Sequence, residues 1–213
     1  RETMMMKRPA FFLDAQLCTG CKTCMVACRD KHNLPDGVRW RRVVEFTGGG
    51  WQRLTDGTLN QDVFAYYLSV SCNHCQDPIC VQACPSKAMH QDEHGIVAIE
   101  PEICVGCQYC AWACPYSAPQ FDKHQGRMTK CDFCREEIEQ NQPPSCVAAC
   151  PTRALKFCEY DNLAQGRTAD PPLHPMPPFE LTEPSLILDS HKDACRGPQK
   201  TGFIGNPEEV KDD

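Results

Sequence analysis

The sequence predicts an α+β fold built from two small nested units with pseudo-twofold symmetry, a β insertion between them and an extended C-terminal tail. Three observations predict it. Sixteen of the eighteen cysteines fall into four quartets. Quartets one and three share one local pattern, and quartets two and four share another. Strand-like alternation and helix-like spacing occur only in short runs between the quartets, too short for large layers.

Composition explains why the cysteines must organise the chain. At 213 residues one shared body is expected. Hydrophobic residues make up 41%, but aromatics only 8% and prolines reach 18, so the apolar core should be thin. Cysteine must supply the rest, through disulfides, zinc or iron–sulfur clusters. A net charge of -6 without a basic stripe excludes a nucleic-acid partner. The longest apolar runs, such as Phe64 to Val70, fall far short of the roughly 20 residues that span a bilayer, so no membrane span is expected and any membrane link needs a partner. Arg1 to Pro9 has neither a twin-arginine pair nor an apolar signal core, so export is expected to use another chain's signal.

In chain order, Phe11-Phe12-Leu13 runs directly into quartet one: Cys18, Cys21, Cys24 and Cys28. Met25 to Lys31 is expected to be a single helical turn, unstable without a bound group. Arg39 to Phe46 and Val63 to Ser71 are expected strands, the second rich in β-branched and aromatic residues, with Gly48-Gly49-Gly50 marking a turn between them. Quartet two follows: Cys72, Cys75, Cys80 and Cys84. Gly95 to Glu100 alternates like a strand and ends just before quartet three: Cys104, Cys107, Cys110 and Cys114. Gln108 to Cys114 is a second expected helical turn. Quartet four is Cys131, Cys134, Cys146 and Cys150, and Leu155 to Tyr160 is an expected strand in which Cys158 is a buried apolar residue. Beyond Tyr160, Pro171, Pro172, Pro175, Pro177, Pro178 and Pro184 favour extended backbone, read either as a flexible tail or as an arm lying along a partner. Cys195 is expected to be a free thiol in that tail.

Two alignments fix the architecture. LDAQLCTGCKTC (Leu13 to Cys24) matches IEPEICVGCQYC (Ile99 to Cys110), and CVQACPSKAM (Cys80 to Met89) matches CVAACPTRAL (Cys146 to Leu155). Quartets two and three, joined by about twenty residues with a short strand, have the layout of a bacterial two-cluster ferredoxin. Quartets one and four must then pair across the sequence. The expected divisions are an outer ferredoxin-like unit (8–35 with 122–160), a β insertion (36–71), an inner ferredoxin-like unit (72–121) and a Pro-rich partner-binding tail (161–213).

Quartet three, C-x2-C-x2-C-x3-C-P, carries the chemistry. Three close thiolates hold three irons of one cubane, and the fourth reaches the neighbouring cubane. Applied throughout, the crossover gives four [4Fe-4S] clusters. The first is held by Cys18, Cys21, Cys24 and Cys150, the second by Cys72, Cys75, Cys80 and Cys114. The third is held by Cys104, Cys107, Cys110 and Cys84, the fourth by Cys131, Cys134, Cys146 and Cys28. Gly20 and Gly106 sit where bare backbone must approach inorganic sulfide. Zinc fits less well, since only quartet four resembles two knuckles across a loop. Disulfides are disfavoured by three cysteines within seven residues. His74 and His124 are expected to be solvated, because four thiolates close each site. Lys22, Arg29, Lys87, Lys130, Arg135 and Arg153 adjoin ligands and are expected to be mostly solvated. No catalytic residue is assigned.

CTGCKTC, FAYYLSVSCNHCQDPIC, ACPSKAM, CVGCQYCAWACPY and MTKCDFC resemble the iron–sulfur subunits of dimethyl sulfoxide reductases, over about residues 10 to 160 and weakly on to TGFIGNPEEV. The resemblance implies an electron-transfer subunit between a molybdenum-bis(pterin) catalytic subunit and an integral membrane quinol-oxidising anchor. It implies a peripheral place on the bacterial inner membrane, on the periplasmic side by co-export or else on the cytoplasmic side. It also implies that the first-quartet cluster faces the molybdenum chain, and that the third-quartet cluster, with Pro85 and Ser86, faces the quinol site. Nitrate reductase counterparts carry tryptophan where this chain has Cys107, so four irons rather than three are implied there. Relatives serving polysulfide, thiosulfate, tetrathionate, arsenate or formate share nearly the same quartets. A stand-alone polyferredoxin or metal-storage module is the alternative from another class.

Overall fold

β1 (Pro9–Asp14) leads into the first quartet as the central strand of a three-stranded sheet, in a computed structural model that describes residues 8–161, 173–194 and 202–210. Sequence patterning does not reveal this strand, because five of its six residues are buried and the run PAFFLD therefore lacks period-two alternation. After it come α1 (Thr23–Lys31), β2 (Arg42–Gly48), β3 (Trp51–Arg53), β4 (Leu59–Gln61), β5 (Phe64–Val70), α2 (Ile79–Gln82), β6 (Met89–Gln91) and β7 (Val97–Ile99). The remainder is α3 (Tyr109–Ala113), β8 (Gln120–Asp122), β9 (Arg127–Thr129), α4 (Arg135–Glu139), α5 (Ser145–Ala148), β10 (Leu155–Glu159), β11 (Leu186–Asp189), β12 (Gly202–Ile204) and α6 (Pro207–Val210). The class is α+β: short helices and small sheets around two buried clusters of side chains.

The repeat read from the sequence is present in the backbone. β6 pairs antiparallel with β7, placing Met89 opposite Ile99 and Gln91 opposite Val97. β1 pairs antiparallel with β10, placing Leu13 opposite Leu155 and Phe11 opposite Phe157. These are the same alignment positions in the same register. Equivalent residues also share unusual torsions: φ is +68° at both Gly20 and Gly106, +63° and +64° at Lys22 and Gln108, and +58° and +57° at Lys87 and Arg153. α1 packs on α5 and α2 on α3. Elements of quartet one therefore meet those of quartet four, and elements of quartet two meet those of quartet three.

The insertion forms the sheet β12-β2-β5, with β2 and β5 antiparallel from Arg42↔Val70 to Gly48↔Phe64. Its first strand starts three residues later than expected, because the chain bends at Trp40 and Arg41 ahead of it. Between the two strands, where only a turn was expected, β3 and β4 form an exposed hairpin. α1 runs for nine residues, longer than the single turn expected. Neither α1 nor α3 has a side-chain N-cap, so both start directly from left-handed residues beside cysteines.

The described parts of the tail fold back onto this chain. β11 pairs parallel with β1, with Leu186 and Leu188 buried, and β12 pairs antiparallel with β2. Proline suppresses the strand signal here, yet only the short proline-free runs enter the sheets. Cys195, Pro171 and Pro172 lie outside the described residues. Among those described, no helix is long and apolar enough to cross a membrane.

Candidate metal centres

The sheets and helical turns bring sixteen thiols together in groups, and no disulfide joins the described cysteines. The fourth cysteine of each quartet stands among thiols of its partner quartet. Cys18 has Cys24, Cys150 and Cys21 as electrostatic neighbours. Cys28 has Cys146 and Cys134, and Cys110 has Cys84, Cys104 and Cys107. Cys80 has Cys72, Cys114 and Cys75. The groups are also electrostatic neighbours of one another, Cys146 acting on Cys24 and Cys72 on Cys131.

Such groups suit a metal far better than bare thiols. Burial pushes Cys18 up to about 11, and Cys28, Cys75 and Cys134 up to about 12. Empty, they would be neutral thiols crowded in a dry site. Metal binding displaces those protons and satisfies the sulfurs together. The donor groups are thiols, and a backbone N–H is already aimed at one of them: Met89 N–H donates to Cys84 Sγ at 3.4 Å. The Gly20 and Ala118 backbones hold Cys18 and Cys114 lower than burial alone would. N–H···S bonds of this kind stabilise thiolate and cluster sulfur. The residues fit iron–sulfur clusters.

The surroundings correct several expectations. His74, expected to be solvated, is 1% exposed. Its Nδ1 accepts the Val97 N–H at 3.1 Å, and its ring stacks on Phe133 at 3.9 Å between centroids. His74 and Phe133 occupy the same position in quartets two and four, so the stack joins two equivalent residues, as a twofold relation does at its axis. Burial and the charge of Lys130 hold His74 well below the usual histidine range. Lys130 is itself buried, donating to the carbonyls of Val97 and, at 2.7 Å, of Cys131. Lysine hides its ammonium only where carbonyls replace water. His124 is exposed in the turn between β8 and β9. Lys87, Arg29 and Arg153 are exposed too, and half-exposed Lys22 pairs with Glu209 at 2.5 Å. Arg135, half-buried, reaches Asp92 at 3.2 Å. Cys158, expected to be buried, is half-buried in β10 with its thiol 3.6 Å from the Ala10 carbonyl.

Two site residues carry no sequence signal. His32 follows α1, and its Nε2 lies 3.3 Å from Cys134 Sγ, although quartet four is a hundred residues away. Arg41 is 2% exposed, and its guanidinium reaches Ser69 and Ser71 beside the thiols. Neither stands at a motif spacing, so only the fold reveals them.

Known proteins match the sequence along nearly its whole length. A 4Fe-4S dicluster domain family matches residues 63–160, covering quartets two, three and four. The B subunit of anaerobic dimethyl sulfoxide reductase from Haemophilus influenzae is 46% identical over 96% of this chain and 100% of its own length. Its Escherichia coli counterpart is 44% identical over 94% of this chain and 97% of its own. The B subunit of polysulfide reductase from Wolinella succinogenes is 36% identical over 88% of this chain and 97% of its own.

Proposed function

Because this protein belongs to the family of electron-transfer iron–sulfur subunits found in dimethyl sulfoxide reductase and its polysulfide relatives, we propose that it is a non-catalytic relay carrying four [4Fe-4S] clusters. In this reading electrons pass from a membrane quinol-oxidising subunit to a molybdenum-bis(pterin) subunit that reduces an S-oxide or N-oxide such as dimethyl sulfoxide. The observation that carries it is the placing of each quartet's fourth cysteine among the thiols of its partner quartet. The ligand sets are Cys18, Cys21, Cys24 with Cys150; Cys72, Cys75, Cys80 with Cys114; Cys104, Cys107, Cys110 with Cys84; and Cys131, Cys134, Cys146 with Cys28.

Bound clusters supply one-electron transfer. The chain supplies the thiolates, the N–H donors and a dry interior. Neighbouring sets support an order of one, four, two, three: Cys24 lies by Cys146, Cys131 by Cys72, and α2 packs on α3. Both ends of that line expose apolar side chains beside thiols. Leu17 and Val26 flank quartet one; Ile103, Val105, Tyr109 and Trp112 flank quartet three. A relay serving two partners needs such an end for each. Electrons enter at the third-quartet cluster and leave at the first. The complex is peripheral on the bacterial inner membrane through its partners, on the periplasmic side, which protease accessibility in spheroplasts tests.

Anaerobically purified protein should hold about sixteen iron and sixteen sulfide. In the complex, Cys107→Ser should leave a three-iron cluster and block quinol-driven turnover, while an artificial donor still feeds the molybdenum chain. Eight irons, zinc in their place, or undiminished quinol oxidation in the variant would each refute the reading. A chain that purifies alone, without partners, would favour a stand-alone polyferredoxin.

A further inference from the structure

Arg41 is a guanidinium buried with no carboxylate among its described hydrogen-bond partners. Its Nη1 donates to Ser69 Oγ at 3.1 Å and to the Ser69 carbonyl at 3.3 Å, and its Nη2 to Ser71 Oγ at 2.9 Å. The Phe11 ring lies beneath it at 4.3 Å. Its Nε has no partner among the described residues. Arginine does not shed its proton in proteins, so this charge cannot be removed by neutralisation. A buried charge is costly unless it is both hydrogen-bonded and set against an opposite charge. Here the groups able to supply it are thiolates.

Those thiolates come from two sets. Ser69 Oγ lies 3.3 Å from Cys24 Sγ, so one hydroxyl touches both the guanidinium and a first-set sulfur. The remaining electrostatic neighbours of Arg41, Cys146, Cys131 and Cys28, all belong to the fourth set. Burial by itself would lower its pKa, but Cys146, Cys24, Cys131 and Cys28 outweigh burial and raise it. Two other buried cations act on second-set thiols instead: Lys130, held by two backbone carbonyls, on Cys80, and Arg42, donating to the Tyr116 and Ser117 carbonyls, on Cys114.

We propose that Arg41 is a positioning residue for redox potential, the buried counter-cation shared by the first and fourth clusters, which raises the potential of both. The proposal rests on the ligand sets given under Proposed function. Reduction adds one electron's charge to a cluster, and a fixed cation in a low-dielectric site favours the more negative state. Ser69 and Ser71 hold the fork in place, as their hydroxyls accept its N–H bonds without adding charge.

The test is potentiometric titration followed by electron paramagnetic resonance, on the protein purified with its native partners. In Arg41→Gln two clusters should become at least about tenfold harder to reduce, about 59 mV for one electron. The other two should stay within roughly threefold of the unaltered protein. Four unchanged potentials at full iron content, or an equal fall in all four, overturn the proposal. If Arg41→Gln does not load iron, Arg41→Lys decides. Full iron with all four potentials near those of the unaltered protein supports a role for the charge. Lost iron or lowered potentials in the lysine variant as well overturn it, because the fork's shape would then be the requirement. Iron counted on the unaltered preparation separates these outcomes from failure of the four-cluster reading, which would show there first.

Discussion

A Cβ added to Gly106 would lie 2.5 Å from the Gly126 carbonyl oxygen, whereas one added to Gly20 would lie 2.4 Å from the ring of Tyr67. Both glycines hold φ near +68°, where an L side chain costs about 1–2 kcal/mol by itself. A half-buried ring can turn aside and a backbone carbonyl cannot. Gly106→Ala should therefore be the costlier substitution, with fewer irons per chain and a lower denaturant midpoint than Gly20→Ala; equal losses would show that the close approach does not matter. Cys28→Ser should disturb the cluster of Cys131, Cys134 and Cys146 while the first-quartet cluster keeps its four ligands. A structure with Cys18, Cys21, Cys24 and Cys28 on one cluster would count against the crossover. At this scale the cysteine motifs and the two positions that take no side chain were legible, because their spacing is local, although the groups that crowd the glycines are Tyr67 and the Gly126 carbonyl where inorganic sulfide was expected. His32, His74 and Arg41 were not: their partners lie elsewhere in the chain, and a charged or imidazole side chain, even one inside a cysteine motif as His74 is, is by default placed in water.

At the scale of elements, burial on one face decided what could be read. β5 alternates over most of its length and was legible as a strand. β1 pairs with β10 and β11 and is buried on both faces, so its pattern is a continuous apolar run. β11 is four residues within a proline-rich stretch, and its strand character comes from pairing with β1, with Leu188 opposite Leu13. Leu188→Ala should lower stability by about 2–5 kcal/mol in urea unfolding of the cluster-loaded protein, the usual cost of emptying a buried leucine site. A change below about 0.5 kcal/mol would mean that β11 docks without supporting the fold. α2, α3 and α5 have four or five residues each, below the length at which a helix stands alone, so packing and bound thiolates must hold them.

For the whole molecule, the proposed direction gives the exposed ring pair at the quartet-three end a role. Tyr109 and Trp112 lie 5.5 Å apart, and Trp112 is 76% exposed. Trp112→Arg should slow quinol-driven turnover at least about tenfold while iron content and turnover from an artificial donor stay unchanged, since losing one central aromatic anchor costs an interface about 2 kcal/mol or more. Equal slowing with both donors would place the damage inside the subunit. The sequence by itself determined the thiol groups and the pairing of quartet one with four and two with three. Cysteine spacing and a repeated pattern survive without knowledge of distant contacts. Only the tertiary structure decided what stands between the groups: Arg41 against Ser69 and Ser71, Lys130 on two carbonyls, and His74 stacked on Phe133. Those neighbours come from segments far apart in the chain, and it is strand register and helix packing, summed over the whole fold, that bring them together.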